Sequence, residues 1–169
     1  MPNQVALITG GATGIGKAVA QNLVSFGITA VISGRRQDVG DAAVAENSAF
    51  AKGGAQVQFL RNDVVVEDTV KSMIDDIVAE FGHLDMAVNN AGISNETGIL
   101  TQSSSQNYRD MFDTNVLGVY YCMKYEITQM LKQGKGTIVN LTSIAGLNGI
   151  AWAGTYASTK HAVVGLTKS

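Results

Sequence analysis

The chain has 169 residues, of which 46% are hydrophobic and 15% are charged, with 19 glycines and a single proline. This composition is typical of one globular domain with many tight turns, and it excludes a disordered low-complexity chain. A net charge of −2 excludes a strongly basic nucleic-acid surface and a polybasic membrane patch.

The N-terminal segment MPNQVALITGG has no positively charged start, and its apolar run is too short for a signal peptide or a membrane span. We therefore expect a cytoplasmic location. Cys122, the single cysteine, lies in the apolar segment GVYYCMKY and is interpreted as a buried structural thiol. His83 and His161 have no ligand cluster around them, so we expect no metal site.

Short runs rich in Val, Ile and Leu alternate with longer segments of helical period. In chain order the pairs are VALIT with IGKAVAQNLVSF, TAVIS with residues 38–51, VQFL with EDTVKSMIDDIVAEF, LDMAVNN with a long segment to 132, and GTIVNLTS with GTYASTKHAVVGLTKS. Uninterrupted apolar strands favour a parallel sheet that is covered on both faces. The sequence therefore predicts a single domain, residues 1–169, with a doubly wound parallel sheet in a three-layer α/β/α arrangement.

The first predicted helix shows this pattern at residue level. Apolar residues recur at spacings of three and four, which places them on one helix face; these are Ile15, Val19, Leu23 and Phe26. Gly27 follows and is expected to end the helix, because glycine readily adopts the left-handed conformation found at helix C-termini.

The turn after the first strand, ITGGATGIGKA, fits two kinds of phosphate site. A triphosphate loop would use Gly11, Gly16 and Lys17, whereas a dinucleotide turn would use Gly10, Gly14 and Gly16. The triphosphate loop needs a Ser or Thr hydroxyl after its lysine to ligate magnesium, and Ala18 has none. The sequence therefore favours a dinucleotide, with its pyrophosphate at the N-terminus of the following helix.

Three polar residues near the C-terminal end of the sequence form a candidate catalytic group. Ser143 is predicted to end the strand GTIVNLTS, at the sheet edge where open α/β folds bind ligands. If TYASTKHA is helical, Tyr156 and Lys160 share a face, and an ammonium beside a phenol stabilises the phenolate. Each residue alone fits a surface or strand-end role. Their joint spacing after a glycine turn predicts a general acid/base site.

Six segments share an order and spacing that is highly specific. They are TGGATGIG at 9–16, NDV at 62–64, NNAG at 89–92, Asn115 in DTNVLG, Ser143 in LTS, and YASTK at 156–160. In these segments the sequence resembles the short-chain dehydrogenase/reductase family across essentially its whole length. The resemblance implies a Rossmann-like fold and a nicotinamide-dependent oxidoreductase that acts on a small-molecule carbonyl or alcohol.

The resemblance also implies a role for each matched residue. Tyr156 would exchange a proton with the substrate oxygen, and Lys160 would bind the nicotinamide ribose. Ser143 would polarise the carbonyl, and Asn115 would hold a water that relays protons to the lysine. The cofactor contacts implied besides Tyr156 and Lys160 are Gly10, Thr13, Gly14, Ile15, Gly16, Asp63, Val64, Asn90, Ala91 and Gly92. Two alternatives stay open: Asp63 as a helix cap, and NNAG as a structural turn.

The end of the second strand bears on the choice of nicotinamide cofactor. NAD sites usually place an acidic residue there, where this sequence has Gly34. Arg35 and Arg36 follow, and guanidinium groups bind phosphate well. We predict NADP(H) as the preferred cofactor, while the nearby Asp38 leaves NAD(H) open.

The segment between Ser143 and Tyr156 supplies candidate substrate residues. Leu147, Ile150 and Trp152 are expected to edge an apolar substrate pocket, with core packing as the alternative. The family resemblance also implies a homo-oligomer, a dimer or a tetramer, formed through the helices on either side of the fifth strand.

Members of the family are usually longer than this chain. We therefore expect a C-terminally incomplete domain that lacks the last strands of the family fold and leaves the fifth strand as an apolar edge. This expectation supports a second hypothesis, a dinucleotide-binding module without turnover.

Overall fold

The computed structural model describes residues 4–95 and 98–169. Its centre is a parallel sheet of five strands in the order β3-β2-β1-β4-β5. The strands are β1 (Val5–Thr9), β2 (Thr29–Gly34), β3 (Val57–Arg61), β4 (Met86–Asn89) and β5 (Thr137–Asn140). The predicted doubly wound α/β fold is confirmed.

Helices connect consecutive strands. The α-helices in the described residues are α1 (Gly14–Ser25), α2 (Gln37–Ser48), α3 (Glu67–Phe81), α4 (Ser105–Phe112), α5 (Gly118–Gln133) and α6 (Gly154–Lys168). A π-helical turn (Asp113–Leu117) joins α4 to α5, and a short 3-10 turn (Ile144–Gly146) precedes α6. Within the described ranges, none of these helices is long and apolar enough to cross a membrane.

Alternate residues of β1 point into two separate cores, as the pleat of a strand requires. Val5 and Leu7 pack with side chains of α3 and α5 on one face of the sheet, and Cys122 is buried there as predicted. Ala6 and Ile8 pack with side chains of α1 and α2 on the other face. The sheet is therefore covered on both faces, in three layers.

The predicted apolar face of α1 is wrong in part. Ile15 and Phe26 are 62% and 75% exposed, and the buried residues are Gly16, Ala20 and Val24. Small side chains on the buried face let the helix approach the strands closely, and this close approach rotates the larger residues outward.

The strand that leads to Ser143 is shorter than predicted. The backbone amide of Leu141 makes the last bond to β4, by donating to the Asn89 carbonyl at 2.9 Å. Ser143 lies beyond the strand and precedes the 3-10 turn, where its Oγ accepts a hydrogen bond from the Ala145 amide at 3.1 Å. In the described part of the chain β5 is an edge strand, and its Val139 is 51% exposed.

A buried carboxylate lies at the amino-terminal ends of the central strands β1 and β4. Asp85 accepts a hydrogen bond from the Val5 amide at 3.0 Å, and its oxygens lie 2.9 Å from Lys135 Nζ and 3.1 Å from His83 Nε2. Burial opposes its ionisation, but Lys135, the Val5 amide and His83 together hold the pKa of Asp85 below its ordinary value.

Replacing Asp85 with Asn is expected to lower the free energy of unfolding by about 1–3 kcal/mol at neutral pH. Because the pKa is lower in the folded state, this stabilisation is present above about pH 4 and is lost as the pH falls through the folded-state pKa. Urea unfolding of both proteins between pH 3 and pH 7 measures the difference. A difference that does not shrink on acidification contradicts this assignment.

Candidate functional site

A cavity of about 600 Å³ opens at the carboxyl edge of the sheet. It extends from the turn after β1, past the ends of β2 and β3, to the segments that follow β4 and β5. The predicted site residues on its wall are Gly10, Thr13, Ile15, Arg35, Arg36, Asp63, Val64, Asn90, Ala91, Gly92, Ser143, Tyr156 and Lys160. The predicted site residues that are not on its wall are Gly14, Gly16, Asn115, Leu147, Ile150 and Trp152.

The N-terminus of α1 presents its first backbone amides beside this cavity. Thr13 is the N-cap residue, but its side chain makes no capping hydrogen bond, and the first turn has no acidic residue. Gly10 and Gly14 adopt left-handed conformations, with φ of +64° and +54°, which shape the turn. First-turn amides and the helix dipole favour an anion at this position.

Gly16 is required by close packing behind the turn. A Cβ atom there would lie 2.5 Å from Asn90 Nδ2 and 2.6 Å from the Gly10 carbonyl oxygen. Asn90 Nδ2 donates to the carbonyls of Thr9 at 2.9 Å and Gly10 at 3.1 Å, and Thr9 Oγ1 accepts from the Ala91 amide at 3.1 Å. The NNAG segment therefore fastens the glycine turn to β4 as well as lining the cavity.

Two polar side chains in the cavity wall were missed by the sequence analysis. Asn62 and Ser33 are 5% and 1% exposed, and the side-chain amide of Asn62 and the hydroxyl of Ser33 have no hydrogen-bond partner among the described residues. Unsatisfied buried polar groups are costly, so a ligand with matching donors and acceptors fits this part of the wall. Asn62 is the first residue of the NDV segment, so the sequence motif already contained it as a candidate. Asp63 beside it accepts from the Val65 amide at 3.3 Å and is not the N-cap of α3.

The arginines after β2 give the same end of the cavity a positive charge. Arg35 and Arg36 are exposed on the wall beside Gly34, and neither makes an ion pair within the described ranges. Asp38 lies in the first turn of α2 but is not on the wall. The local charge therefore favours a phosphate group.

The other end of the cavity brings together the predicted acid/base residues. Lys160 is only 6% exposed, its Nζ donates to the Leu141 carbonyl at 3.0 Å, and it lies 5.7 Å from the centroid of the Tyr156 ring. The alternative of a surface lysine is wrong. Burial lowers the pKa of Lys160. The Ser143 hydroxyl uses a lone pair to accept from a backbone amide, so its hydrogen can point to a ligand.

Asn115 lies behind this group, fully buried in the π-helical turn. Its Oδ1 accepts from the Ile93 amide and its Nδ2 donates to the Ile93 carbonyl, both at 2.8 Å. The same Nδ2 donates to Thr159 Oγ1 at 3.1 Å. The side chain therefore ties the loop after β4 to α6, and its role in holding a water stays a prediction. Single π-helical turns are frequent at functional sites.

The predicted substrate residues lie outside the cavity, on the loop before α6. Leu147 and Trp152 are 69% and 73% exposed, so the alternative of core packing is wrong for both. Trp152 has a φ of +63°, a strained conformation for a bulky residue. Their contact with a substrate stays a prediction.

A family model described as short chain dehydrogenase matches residues 4–169. The chain belongs to the short-chain dehydrogenase family. A 2,5-dichloro-2,5-cyclohexadiene-1,4-diol dehydrogenase of Sphingobium indicum is 37% identical to this family member over 169 residues, which are 99% of this chain and 65% of that relative. The chain thus spans slightly less than two-thirds of that relative's length.

Solved structures of other proteins share the short-chain dehydrogenase fold. A structure of ElxO with NADP bound has a TM-score of 0.91 and 40% identity, and the match covers 97% of this chain and 65% of that one. A short-chain dehydrogenase/reductase from Burkholderia phymatum in complex with NAD has a TM-score of 0.91 and 34% identity, and covers 98% of this chain and 58% of that one.

Proposed function

We propose that the protein is an NADP(H)-dependent oxidoreductase that transfers hydride between nicotinamide and a small carbonyl or alcohol substrate. One observation carries this proposal. A single cavity joins the N-terminus of α1, which no side chain caps, and the exposed Arg35 and Arg36 to Tyr156 and the buried Lys160. The similarity to a protein with NADP bound supports the choice of cofactor, and the named dehydrogenases among its relatives support the reaction class.

The residues of the cavity fit a dinucleotide along its whole length. The first-turn amides of α1 bind the pyrophosphate, and Arg35 and Arg36 bind the 2′-phosphate. Asn62 and Ser33 hydrogen-bond the adenosine part, which satisfies their buried polar atoms. The bound nicotinamide supplies or accepts the hydride.

At the end of the cavity away from the two arginines, side chains of the protein carry out the proton transfer. Tyr156 gives its proton to the carbonyl oxygen during reduction and takes one from the alcohol during oxidation. The Lys160 ammonium stabilises the phenolate form of Tyr156, and the Leu141 carbonyl fixes the position of that ammonium. Ser143 donates a hydrogen bond to the same substrate oxygen and orients it.

Oxidation of NADPH in the presence of a panel of cyclic and linear ketones tests the proposed function. We expect turnover with at least one apolar ketone and a reverse reaction with the corresponding alcohol. Binding of NADPH without turnover across the panel contradicts the oxidoreductase proposal and supports the alternative, a non-catalytic dinucleotide-binding module.

The two arginines are expected to determine the cofactor preference. The double substitution Arg35→Gln with Arg36→Gln should weaken NADPH binding about 10- to 100-fold, because each charge-assisted contact to phosphate is lost. The Kd for NADH should change less than about twofold. Isothermal titration with both cofactors measures the ratio.

A matched control removes two exposed positive charges elsewhere, with Arg109→Gln and Lys132→Gln on α4 and α5. This control should leave the NADPH affinity unchanged within about twofold. Equal losses for the two cofactors in the arginine variant, or an equal loss in the control, contradict a specific 2′-phosphate site.

We also propose a cytoplasmic homo-oligomer, a dimer or a tetramer. Exposed apolar side chains on α5 support an interface there; they are Tyr120, Ile127 and Leu131.

A further inference from the structure

A buried polar network links α5 to the ends of β4 and β5. Glu126 and Asn89 are 0% and 1% exposed, and Glu126 makes no ion pair within residues 4–95 and 98–169. Asn89 Nδ2 donates to Glu126 Oε2 and to Asn140 Oδ1, each at 2.9 Å. Asn140 Nδ2 donates in turn to Thr167 Oγ1 at 3.0 Å. The last residues of β4 and β5 are therefore joined directly by Asn89, and Glu126 of α5 holds the same Asn89 side chain.

Two atoms of this network have no partner among the described residues. They are Glu126 Oε1 and Asn89 Oδ1, and both are buried. An ionised carboxylate and an amide oxygen are both acceptors only, so neither can satisfy the other. A proton on Glu126 Oε1 supplies the missing donor. Directed at Asn89 Oδ1, this proton would complete a paired acid–amide contact with the observed bond from Asn89 Nδ2 to Glu126 Oε2.

We infer that Glu126 is a protonated positioning residue, whose paired hydrogen bonds with Asn89 hold the ends of β4 and β5 in place for cofactor binding. Its part in cofactor binding rests on the proposed function, whereas its protonation does not. Burial raises the pKa of Glu126 to about 7, and the hydrogen bond from Asn89 opposes this rise. The unpartnered Glu126 Oε1 and Asn89 Oδ1 and the raised pKa of Glu126 both favour the protonated, neutral form of the Glu126 side chain.

The strand ends held by this pair lead directly into the cavity wall. Asn89 precedes Asn90 and Ala91, which line the cavity. Asn140 precedes Leu141, whose carbonyl accepts the hydrogen bond from Lys160 Nζ. Loss of the proton would leave the buried acceptors Glu126 Oε1 and Asn89 Oδ1 without a donor. The loss of this donor would shift the end of β4 and the wall that follows it.

The described groups that bond to Glu126 or interact with it do not titrate near pH 7. Among the described residues, Cys122, one turn earlier on α5, is a titratable group that interacts with Glu126, and burial raises the pKa of this thiol well above its ordinary value. Asn89 from β4, Asn140 from β5 and Thr167 from α6 are neutral at all pH values of interest. A change near pH 7 is therefore assigned to Glu126.

The first measurement tests the proton, without any ligand. Glu126→Gln keeps both hydrogen bonds, because its amide donates to Asn89 Oδ1 and accepts from Asn89 Nδ2, but it has no titration. Between about pH 5 and pH 7 folded wild-type protein keeps a proton that the unfolded chain releases, so stability falls as the pH rises. The folding equilibrium constant of wild type relative to Glu126→Gln should fall about tenfold per pH unit and level off above pH 7. A pH-independent ratio, or an unfolded Gln variant, overturns the proposal.

The second measurement tests positioning, through the Kd for NADPH between pH 6 and pH 9. The wild-type Kd should rise several-fold through pH 7–8 relative to that of Glu126→Gln, which should show no such titration. Glu126→Leu, which removes the Glu126 partner of Asn89 and leaves only the bond to Asn140, should bind NADPH weakly at every pH. If the Kd for NADPH changes with pH in the same way in wild type and in Glu126→Gln, Glu126 has only a structural role and the positioning role is overturned. If wild type binds no NADPH at any pH, the proposed function fails, and the unfolding measurement still decides the protonation.

Discussion

Replacing Tyr156 with Phe is expected to lower kcat for ketone reduction by about 10³-fold, while the Kd for NADPH changes less than about twofold. The substitution removes one oxygen, which is the proton donor and acceptor in the proposed reaction. Lys160 keeps its hydrogen bond to the Leu141 carbonyl, so the cofactor wall is unchanged. Steady-state kinetics and calorimetric titration with NADPH measure the two quantities.

Tyr108→Phe is the matched control for this loss. Tyr108 lies on α4, is 46% exposed and stacks on Phe112 with ring centroids 4.6 Å apart. Its variant loses the same atom outside the cavity, so turnover should stay at the wild-type level. Retention of more than about a tenth of the activity by Tyr156→Phe contradicts its role as the general acid/base.

Gly16→Ala is expected to abolish detectable NADPH binding and to destabilise the fold by about 3 kcal/mol. The added methyl group would overlap with Asn90 Nδ2 and the Gly10 carbonyl oxygen, at 2.5 and 2.6 Å. Relief of this overlap requires the helix to move away from β4, which displaces the first-turn amides. Calorimetric titration and urea unfolding measure the two effects.

Gly165→Ala provides the matched control, because Gly165 lies on the exposed side of α6 and its Cβ would meet no atom within 4 Å. Alanine is favoured over glycine inside a helix by about 0.5–1 kcal/mol, so this variant should be slightly more stable and should bind NADPH normally. Wild-type binding by Gly16→Ala would contradict the close packing that the structure shows at the turn.

The fold was predictable because the sequence pattern is strong at each element. Parallel strands buried on both faces leave continuous apolar runs, and Gly27 ends the first helix region with a φ of +83°. The orientation of α1 was not predictable from apolar spacing. Its buried face is set by the contact of Gly16 with Asn90, a residue far along the chain. The end of β5 was also missed, since it depends on where β4 stops.

The candidate site also contains residues that could be predicted from the sequence and residues that could not. Local chemistry in the sequence pointed to the glycine turn, Tyr156 and Lys160, which the fold brings to one cavity. The unpartnered atoms of Asn62 and Ser33 were not predictable, because burial and hydrogen bonding appear only when β2 and the segment after β3 are adjacent.

The central claim is that the cavity binds NADP(H), and calorimetric titration of the wild-type protein with NADPH tests it most directly. The account predicts saturable binding of one NADPH per chain in the micromolar range, weaker binding of NADH, and release of NADPH when the salt concentration is raised. Absence of binding by both NADPH and NADH to folded protein would contradict it.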